Sequence, residues 1–359
     1  GKAYFPPLDT ETVLKIGKSL AEYLKKEVEK NQNRPYKVII GKDTRRSGYM
    51  LEQTLTAGFL SRGVDVMTVG PIPTPGVSHL VKSFALDMGV MVTASHNPYY
   101  DNGIKVFHNN GRKFKDEEEI EVEDIFFNFD FNGSEEIGRA KRIEDVSGRY
   151  IEIIKSVANN VSLKGFKIVV DCANGATYKI SPTVFKELGA EVKEIAVEPD
   201  GYNINENCGA LHPENIRKYV LSEKADLGIA LDGDGDRVIM VDEKGNIIDG
   251  DYIMALMAKN LRKHGLLSKD TMVITEYSNQ ALVNDLVESK IKVIKVPNGD
   301  RAVSAKCKEL GLNFGGEQTG HFIFTDYTEV GDGTLASLLV MRSLNEEKIT
   351  LSQLAYSFE

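Results

Sequence analysis

The chain alternates between short apolar runs and longer amphipathic stretches almost from end to end. Residues Asp9 to Glu29 carry apolar side chains at helical spacing, which predicts a helix capped by Asp9 or Thr10. Lys37 to Ile40 is a short apolar run that ends at Gly41, which is typical of a buried strand. This alternation predicts an α/β fold with mixed, largely parallel sheets.

One pattern of strands and helices occurs three times along the chain, and each copy ends in a polar loop. The three copies end in MGVMVTASHNP (88–98), LGIALDGDGDR (227–237) and LNFGGEQTGH (312–321). Because ligands bind beyond the carboxyl ends of parallel strands, we expect an active-site cleft between three similar, sequential domains. The expected domains span residues 1–146, 147–249 and 250–359.

The segments between these repeats give weaker signals. Residues Asn110 to Arg142 are highly charged and have few strand signals, so we expect a helix and a surface connection there. Val146 to Asn160 has helical periodicity and is expected to open the second domain. A turn near Gly245 and Gly250 is expected to separate the second domain from the third.

The composition excludes several classes of protein. Among 359 residues, 42% are apolar, which is enough for several cores, and the net charge is −9. An acidic balance argues against a general nucleic-acid or membrane-surface partner. No apolar run approaches the ~20 residues of a membrane span. The three cysteines form no C-x-x-C pair, which argues against a disulfide framework and fits a reducing, cytoplasmic setting.

The clearest candidate loop follows the third strand of the second repeat. Asp232, Asp234 and Asp236 alternate with glycines, which permit a backbone tight enough for the carboxylates to converge. These oxygen ligands suit Mg²⁺ or Ca²⁺, although a solvated acidic turn has the same composition. An EF-hand is excluded, because Arg237 stands where that loop requires Gly. Arg237 beside a cation favours an anionic, phosphate-bearing substrate.

The loops of the first and third repeats offer nucleophilic and proton-transferring groups. Beside a cation, Ser95 is suited to carry a phosphoryl group, with Lys105 as a cation or proton donor. In isolation, such a serine and a surface lysine are common without function. The loop from Gly315 to His321 offers groups that suit sugar hydroxyls and proton transfer, but a glycine-rich turn with a capping Glu has the same composition. Asn298 to Arg301 is a weaker candidate, for which a plain turn is the simpler interpretation.

Taken together, TASHNP, DGDGDR and GEQTGH, in this order, resemble the α-D-phosphohexomutase superfamily. The stretches YDNGIKVF (100–107), DCANGATYK (171–179) and EPDGYNINENCGALHPE (198–214) are similar to its bacterial phosphoglucosamine mutase branch. The resemblance covers essentially the whole chain, and the three motifs together are far more specific than any one of them. It implies an intramolecular phosphotransferase, classed as an isomerase, that acts on a small phosphosugar.

The resemblance also implies a role for each matching position. The ligands of Mg²⁺ would be a phosphorylated Ser95, Asp232, Asp234 and Asp236. Besides Ser95, the catalytic residues would be Lys105, Arg237 and His321. The substrate-binding residues would be His96, Asn298, Gly299, Asp300, Arg301, Glu317 and Thr319.

The implied reaction is the reversible conversion of glucosamine 6-phosphate to glucosamine 1-phosphate. A sugar 1,6-bisphosphate would serve as activator and intermediate, and would turn round in the site so that either phosphate faces Ser95. The resemblance further implies carbohydrate metabolism toward cell-wall precursors, a cytoplasmic location and no nucleic-acid or membrane partner. It is also compatible with a homodimer.

Several departures from the family pattern bear on activity. Thr319 stands where members usually have Ser, which keeps the hydroxyl, and Leu211 stands where the branch usually has Thr. The resemblance also implies an N-terminal motif with an active-site Arg and a C-terminal domain that clamps the distal phosphate. Neither is found in the sequence, so this chain by itself is expected to be weakly active or inactive.

Other hypotheses remain open at this point. A phosphomannomutase/phosphoglucomutase of the same fold is the nearest rival. A non-catalytic sugar-phosphate binding protein is the rival from another class, but Ser95, Lys105 and His321 argue against it, since binding needs no phosphoryl carrier. A phosphatase is disfavoured, because no D-x-D-x-T/V motif follows the first strand.

Overall fold

The computed structural model describes residues 1–27, 34–133, 136–159 and 161–355. The chain divides into two compact units. One comprises Gly1–Tyr150 with Asp200–Ile204, and the other comprises Ile151–Pro199 with Asn205–Glu359. One β-sheet lies in the first unit and two lie in the second, each packed with helices. The predicted α/β class, with mixed and largely parallel sheets, is therefore confirmed.

The first unit is built on a five-stranded sheet. Its elements are α1 (Thr10–Glu27), β1 (Lys37–Lys42), α2 (Ser47–Leu60), β2 (Asp65–Pro71), α3 (Thr74–Ser83), β3 (Met88–Val92), β4 (Ile104–His108), α4 (Asp116–Asn128) and β5 (Ala140–Arg142). The strand order is β4-β3-β1-β2-β5, and only β4 runs antiparallel to its neighbour. Because β3 and β1 are central and parallel, the loops after their carboxyl ends lie side by side.

The first helix illustrates how closely local sequence determines an element. Asp9 caps α1, because its carboxylate accepts the backbone N–H of Thr12 at 3.0 Å and the Thr12 hydroxyl at 2.8 Å. Of the two predicted caps, Asp9 is therefore the one used. Residues 28 and 29 of the predicted helix lie outside the described residues, as does residue 160 of the helix predicted over Val146 to Asn160.

One segment of the first unit differs from its prediction. The charged stretch from Asn110 to Arg142 contains the expected helix α4, but it also contains the strand β5. β5 pairs in parallel with β2, with Ala140 opposite Val66. All three residues of β5 are exposed, so no apolar pattern marks the strand, and only its backbone pairing creates it. The prediction of a connection without a strand was wrong for these residues.

The second sheet also has five strands. Its elements are α5 (Val146–Val157), β6 (Lys167–Asp171), α6 (Ile180–Glu187), β7 (Glu191–Ile195), α7 (Pro213–Glu223), β8 (Leu227–Leu231), β9 (Val238–Asp242) and β10 (Ile247–Ile248). The order is β10-β9-β8-β6-β7, with β6, β7 and β8 parallel. The loop Asp232–Arg237 joins β8 to β9, so its backbone is held between two buried strands.

The third sheet has four strands and lies in the same unit as the second. Its elements are α8 (Gly250–Lys263), β11 (Thr271–Thr275), α9 (Gln280–Glu288), β12 (Lys292–Val296), α10 (Asp300–Leu310), β13 (Phe314–Gly316), β14 (Phe322–Phe324), α11 (Gly333–Glu347) and α12 (Leu351–Ala355). The order is β12-β11-β13-β14, with β14 antiparallel to β13. The candidate loop Glu317–His321 is the tip of the β13–β14 hairpin.

The expected domain boundaries near residues 147 and 250 fall at the starts of α5 and α8. They stay predictions, because the contacts divide the chain into two units rather than three. Within the described ranges, every helix is too short or too polar to cross a membrane.

Candidate active site

Three aspartates lie together directly after β8. Asp232, Asp234 and Asp236 are 1%, 0% and 3% exposed, and carboxylate oxygens from all three lie within 4.8 Å of one another. Gly235, with φ of 73°, lets the loop turn back between the second and third aspartates. Buried negative charges this close repel each other, and a nearby cation offsets this repulsion. The oxygen donors therefore fit a hard divalent cation such as Mg²⁺.

Arg237 follows the aspartates and returns the chain to β9. Its backbone N–H donates to Asp232 Oδ1 at 3.2 Å, and its Nε lies 4.0 Å from Asp236 Oδ1. Burial opposes the charge of this guanidinium, but Asp232, Asp236, Asp234 and Glu317 outweigh burial and raise the Arg237 pKa. Arg237 is therefore a fixed cation beside the aspartate cluster, able to contact a second anion.

The hairpin tip of the third sheet is joined to this loop by its backbone. The N–H of Val238 donates to the Gly320 carbonyl at 2.9 Å, and Arg237 and His321 form an isolated antiparallel bridge. The His321 ring is 2% exposed. Its Nε2 lies 3.7 Å from Asp300 Oδ2, and its Nδ1 lies 4.0 Å from Glu317 Oε2. The structure thus brings an imidazole, a group that can hold or release a proton, opposite Arg237 across this bridge.

The segment Gly331–Gly333, which leads into α11, fits against both partners of this bridge. A Cβ on Gly331 would lie 2.1 Å from His321 Cδ2 and 2.7 Å from the backbone oxygen of Asp236. A Cβ on Gly333 would lie 2.6 Å from the Arg237 carbonyl. The N–H of Gly333 donates to the Gly235 carbonyl at 3.0 Å. Only residues without a side chain allow this loop to approach so closely.

The remaining predicted residues of the third domain are arranged around Glu317. Its carboxylate accepts the N–H of Gly299 at 3.0 Å, which ties the loop Asn298–Arg301 to the hairpin. Asp300 is the first residue of α10. Glu317 is buried, whereas Thr319 is exposed. The structure therefore places Glu317, His321 and Asp300 together, with Thr319 at the exposed end of the hairpin.

The predicted residues of the first domain lie on the β3–β4 segment. Ser95 follows β3, is 9% exposed and has a φ of 50°. His96 is half-buried beside it in the chain. Lys105 stands on β4 directly opposite Met91 of β3. The antiparallel pairing thus brings Lys105 back toward the end of β3 from which Ser95 emerges.

Two groups of residues near these candidates carry no signal that sequence reasoning used. The first is the buried pair Asp43 and Arg45, which together with Thr93 of the TASHNP motif surrounds the Ser95 loop. The second is the pair Gly331 and Gly333. The stretches KDTR (42–45) and VGDG (330–333) contain these residues, but the residues that they contact are distant in the chain. Sequence spacing alone therefore did not indicate a role for them.

Comparison with known proteins agrees with this architecture. The chain matches phosphoglucomutase/phosphomannomutase alpha/beta/alpha domain I over residues 1–133, domain II over residues 148–245 and domain III over residues 249–359. It belongs to this family, and thus to the phosphohexomutase superfamily.

Curated relatives refine the assignment. The chain is 46% identical to a phosphoglucosamine mutase of Bdellovibrio bacteriovorus over 364 aligned residues, which cover 100% of this chain and 80% of that protein. It is 48% identical to the phosphoglucosamine mutase of Geobacter metallireducens, covering 99% of this chain and 79% of the relative. The chain is therefore a member of the phosphoglucosamine mutase branch and an enzyme of the isomerase class, which confirms the resemblance seen in its motifs.

Solved structures share the fold. A phosphoglucomutase/phosphomannomutase family protein from Burkholderia thailandensis superposes with a TM-score of 0.85 at 26% identity, covering 98% of this chain and 78% of that one. An N-acetylphosphoglucosamine mutase from Aspergillus fumigatus, in complex with GlcNAc-6P and magnesium, gives a TM-score of 0.60 at 20% identity, covering 80% and 76%.

Proposed function

We propose that the protein interconverts glucosamine 6-phosphate and glucosamine 1-phosphate by phosphoryl transfer through Ser95. The observation that carries this proposal is the buried triad of Asp232, Asp234 and Asp236, joined through Arg237 to the hairpin of His321. Phosphoryl transfer depends on positioning and charge stabilisation, and these residues supply a cation site, a fixed cation and a proton carrier. Its small-molecule partner is a phosphosugar.

Asp232, Asp234 and Asp236 would hold Mg²⁺. Their three oxygens are buried and close together, which matches the donors that this ion prefers. When bound, Mg²⁺ supplies positive charge that offsets the charge of phosphoryl oxygens. Arg237 adds a second, permanent positive charge beside the triad.

Ser95 would carry the phosphoryl group between sugar positions. In the forward half-reaction, the bond between phosphorus and Ser95 Oγ breaks and a bond to the sugar O1 forms, giving the 1,6-bisphosphate. The sugar hydroxyl loses its proton to His321 or Lys105. After the bisphosphate turns round, its 6-phosphoryl group returns to Ser95 Oγ, and the freed O6 regains a proton. The bisphosphate is thus both intermediate and activator in this proposal.

The substrate-binding part of the proposal rests on Glu317 and its neighbours. Glu317 and Thr319 would hydrogen-bond sugar hydroxyls, and the loop Asn298–Arg301 would select how the sugar lies, with His96 contacting substrate from the first domain. The bond from Gly299 to Glu317 supports this grouping, because it couples the loop to the carboxylate.

We also infer that the protein works in a reducing, cytoplasmic setting. A homodimer is compatible with the proposed function. Cys172, Cys208 and Cys307 are free and buried. Burial raises the pKa of Cys208 and of Cys307 to about 12 and raises that of Cys172 as well, so all three thiols are kept in their unreactive form.

Phosphate mapping tests the central claim. Purified protein is incubated with glucosamine 1,6-bisphosphate and digested, and the phosphorylated peptide is identified by mass spectrometry. We expect phosphate on Ser95 and none in Ser95→Ala. Ser61→Ala, at the end of α2 in the same unit, serves as the matched control and should be phosphorylated like the parent. Phosphate elsewhere, or nowhere, contradicts the proposal.

The sugar preference needs a separate measurement. The phosphoprotein is mixed with the 6-phosphates of glucosamine, mannose and glucose, and loss of phosphate from Ser95 is timed for each. We expect glucosamine 6-phosphate to discharge Ser95 fastest. Faster discharge by mannose or glucose 6-phosphate would support the phosphomannomutase/phosphoglucomutase hypothesis, and binding without discharge would support a binding protein.

A further inference from the structure

Three buried side chains surround the backbone of the Ser95 loop. Arg45 is 0% exposed, Asp43 is 0% exposed and Thr93 is 2% exposed. The Arg45 guanidinium donates to the Asp43 carboxylate, and the Thr93 hydroxyl donates to the same Asp43 oxygen at 2.6 Å. A buried charge is costly unless it is paired, so Arg45 and Asp43 stabilise each other, and Thr93 satisfies a further bond of the carboxylate.

The guanidinium also bonds directly to the loop that carries Ser95. Its second terminal nitrogen donates to the carbonyl of Ser95 at 3.1 Å and to the carbonyl of Asn97. The N–H of Ser95 donates to the Thr93 hydroxyl at 2.9 Å. Both ends of the Ser95 backbone are therefore held by this buried set.

The conformation of Ser95 explains why such support is needed. Its φ of 50° lies in the left-handed region, which a serine adopts only at an energetic cost. A backbone in this region persists when surrounding contacts impose it. The rigid fork of a guanidinium can bond two carbonyls and a carboxylate at once, which a flexible ammonium does not reproduce.

The second sheet offers an internal comparison. Its first strand, β6, ends at the buried Asp171, which accepts the N–H of Ala173 at 2.9 Å. In the same way Asp43, which follows β1, accepts the N–H of Arg45 at 2.9 Å. Position 173 is an alanine, so this turn forms without an arginine two residues after the aspartate. The buried Arg45 is therefore not needed for the turn itself, and it occurs at the strand end beside the Ser95 loop.

We propose that Arg45, held by Asp43 and Thr93, is a positioning residue that fixes Ser95 for phosphoryl transfer. This rests on the proposed role of Ser95. Through the two carbonyls, Arg45 sets the direction in which Ser95 Oγ leaves the loop, without itself contacting the sugar. Misplacement of a reacting group by about 1 Å can slow a reaction on the order of 100-fold.

Arg45→Lys tests the proposal, because it keeps the positive charge and removes the fork. Arg34→Lys is the matched control. Arg34 makes a two-point pair with Asp87, at 2.9 and 2.7 Å, in the same unit. Asp87 precedes β3 and Ser95 follows it, so the control pair lies at the opposite end of the same strand.

Two rates are measured for each variant after circular dichroism has confirmed that it is folded. One is phosphorylation of Ser95 by glucosamine 1,6-bisphosphate, and the other is discharge of that phosphate to glucosamine 6-phosphate. We expect Arg45→Lys to slow both by ~10–100-fold, with the half-saturating sugar concentration unchanged. Arg34→Lys should transfer phosphate at the parental rate. Equal rates for Arg45→Lys and the parent would overturn the positioning role.

A third variant distinguishes positioning from general destabilisation. In Arg45→Ala, added ethylguanidinium can occupy the space of the missing side chain. We expect it to restore part of the phosphorylation rate, whereas ethylammonium should not. No rescue in a folded variant would contradict a role for the guanidinium fork. If the parent itself never carries phosphate on Ser95, the proposed function fails instead, and this outcome is separate from the comparison of variants.

Discussion

At the scale of single residues, the aspartate triad concentrates buried negative charge, which does not itself stabilise the fold. Asp232, Asp234 and Asp236 are all at most 3% exposed, and Arg237 offsets only part of their charge. Carboxylates placed this way lower stability in the absence of a cation and bind one strongly when it is present. Removing one of these charges should therefore raise the stability of the metal-free protein and lower its affinity for the metal.

We predict that Asp234→Asn weakens Mg²⁺ binding at least tenfold, measured by titration calorimetry. Residues that merely support metal ligands already change affinity by about 10–100-fold, and this variant removes a ligand charge. In EDTA the same variant should melt at a higher temperature than the parent, because repulsion within the triad is reduced. Asp226→Asn, an exposed position before the other end of β8, is the control and should leave Mg²⁺ affinity unchanged. Unaltered affinity in Asp234→Asn would rule out the triad as the site.

A second residue, Asp171, links burial to pH. Burial raises its pKa to about 6, although the N–H groups of Ala173 and Gly209, each at 2.9 Å, act in the opposite direction. The folded state therefore binds more protons than the unfolded state between about pH 4 and 6. Stability must fall as pH rises through this window and level off above it.

We predict that Asp171→Asn removes this part of the pH dependence. The unfolding free energy of the parent, relative to that of the variant, should fall by about 2 kcal/mol from pH 4 to pH 7, because only the parent loses stability. Urea denaturation at several pH values measures it, and other titrating groups cancel in the difference. A difference that stays constant across this range would contradict the raised pKa.

At the scale of elements, the sequence predicted what depends on local pattern. The strand endings that precede Ser95, Asp232 and Glu317 were all visible as apolar runs followed by polar loops. The helix α1 was predicted from Asp9 and is described from Thr10 to Glu27, and residues 28 and 29 lie outside the described residues. β5 was missed, because its exposed residues carry no pattern and pairing with β2 alone defines it. The Arg45 contacts were missed because they join positions about 50 residues apart.

Gly331, just before α11, packs directly against the ring of His321. Gly331→Ala places a Cβ 2.1 Å from His321 Cδ2 and 2.2 Å from Nε2, so the ring must move. We expect phosphoryl transfer to slow on the order of 100-fold, because the proposed proton carrier, His321, is displaced. The imidazole signals of His321 in a nitrogen-correlated NMR spectrum should shift.

Gly148→Ala is the control for this prediction. Gly148 lies within α5, and its Cβ would come no closer than 3.4 Å to Asp145, which is an ordinary contact. Alanine is also a better helix former, so this variant should be fully active and slightly more stable. If Gly331→Ala keeps both its transfer rate and its His321 signals, close packing of this loop does not position the ring.

At the scale of the whole molecule, the second and third sheets lie in one compact unit. Two backbone bonds join their loops. Val238 donates to Gly320 and Gly333 donates to Gly235, at 2.9 and 3.0 Å. A buried side-chain bond of 2.7 Å also joins Ser181 on α6 to Thr334 on α11. The aspartate triad and His321 thus lie in the same compact unit.

We predict from this that Thr334→Val destabilises both sheets together. Valine keeps the shape of threonine but leaves the buried Ser181 hydroxyl without this partner, which costs about 1–3 kcal/mol. Hydrogen exchange should therefore lose protection equally in β6 and β8 of the second sheet and in β11 of the third. The double variant Ser181→Ala/Thr334→Val should recover part of the loss, because neither hydroxyl then remains unpaired. Loss of protection confined to β11 would mean that the two sheets open independently, and the site would then depend on docking between them rather than on one cooperative fold.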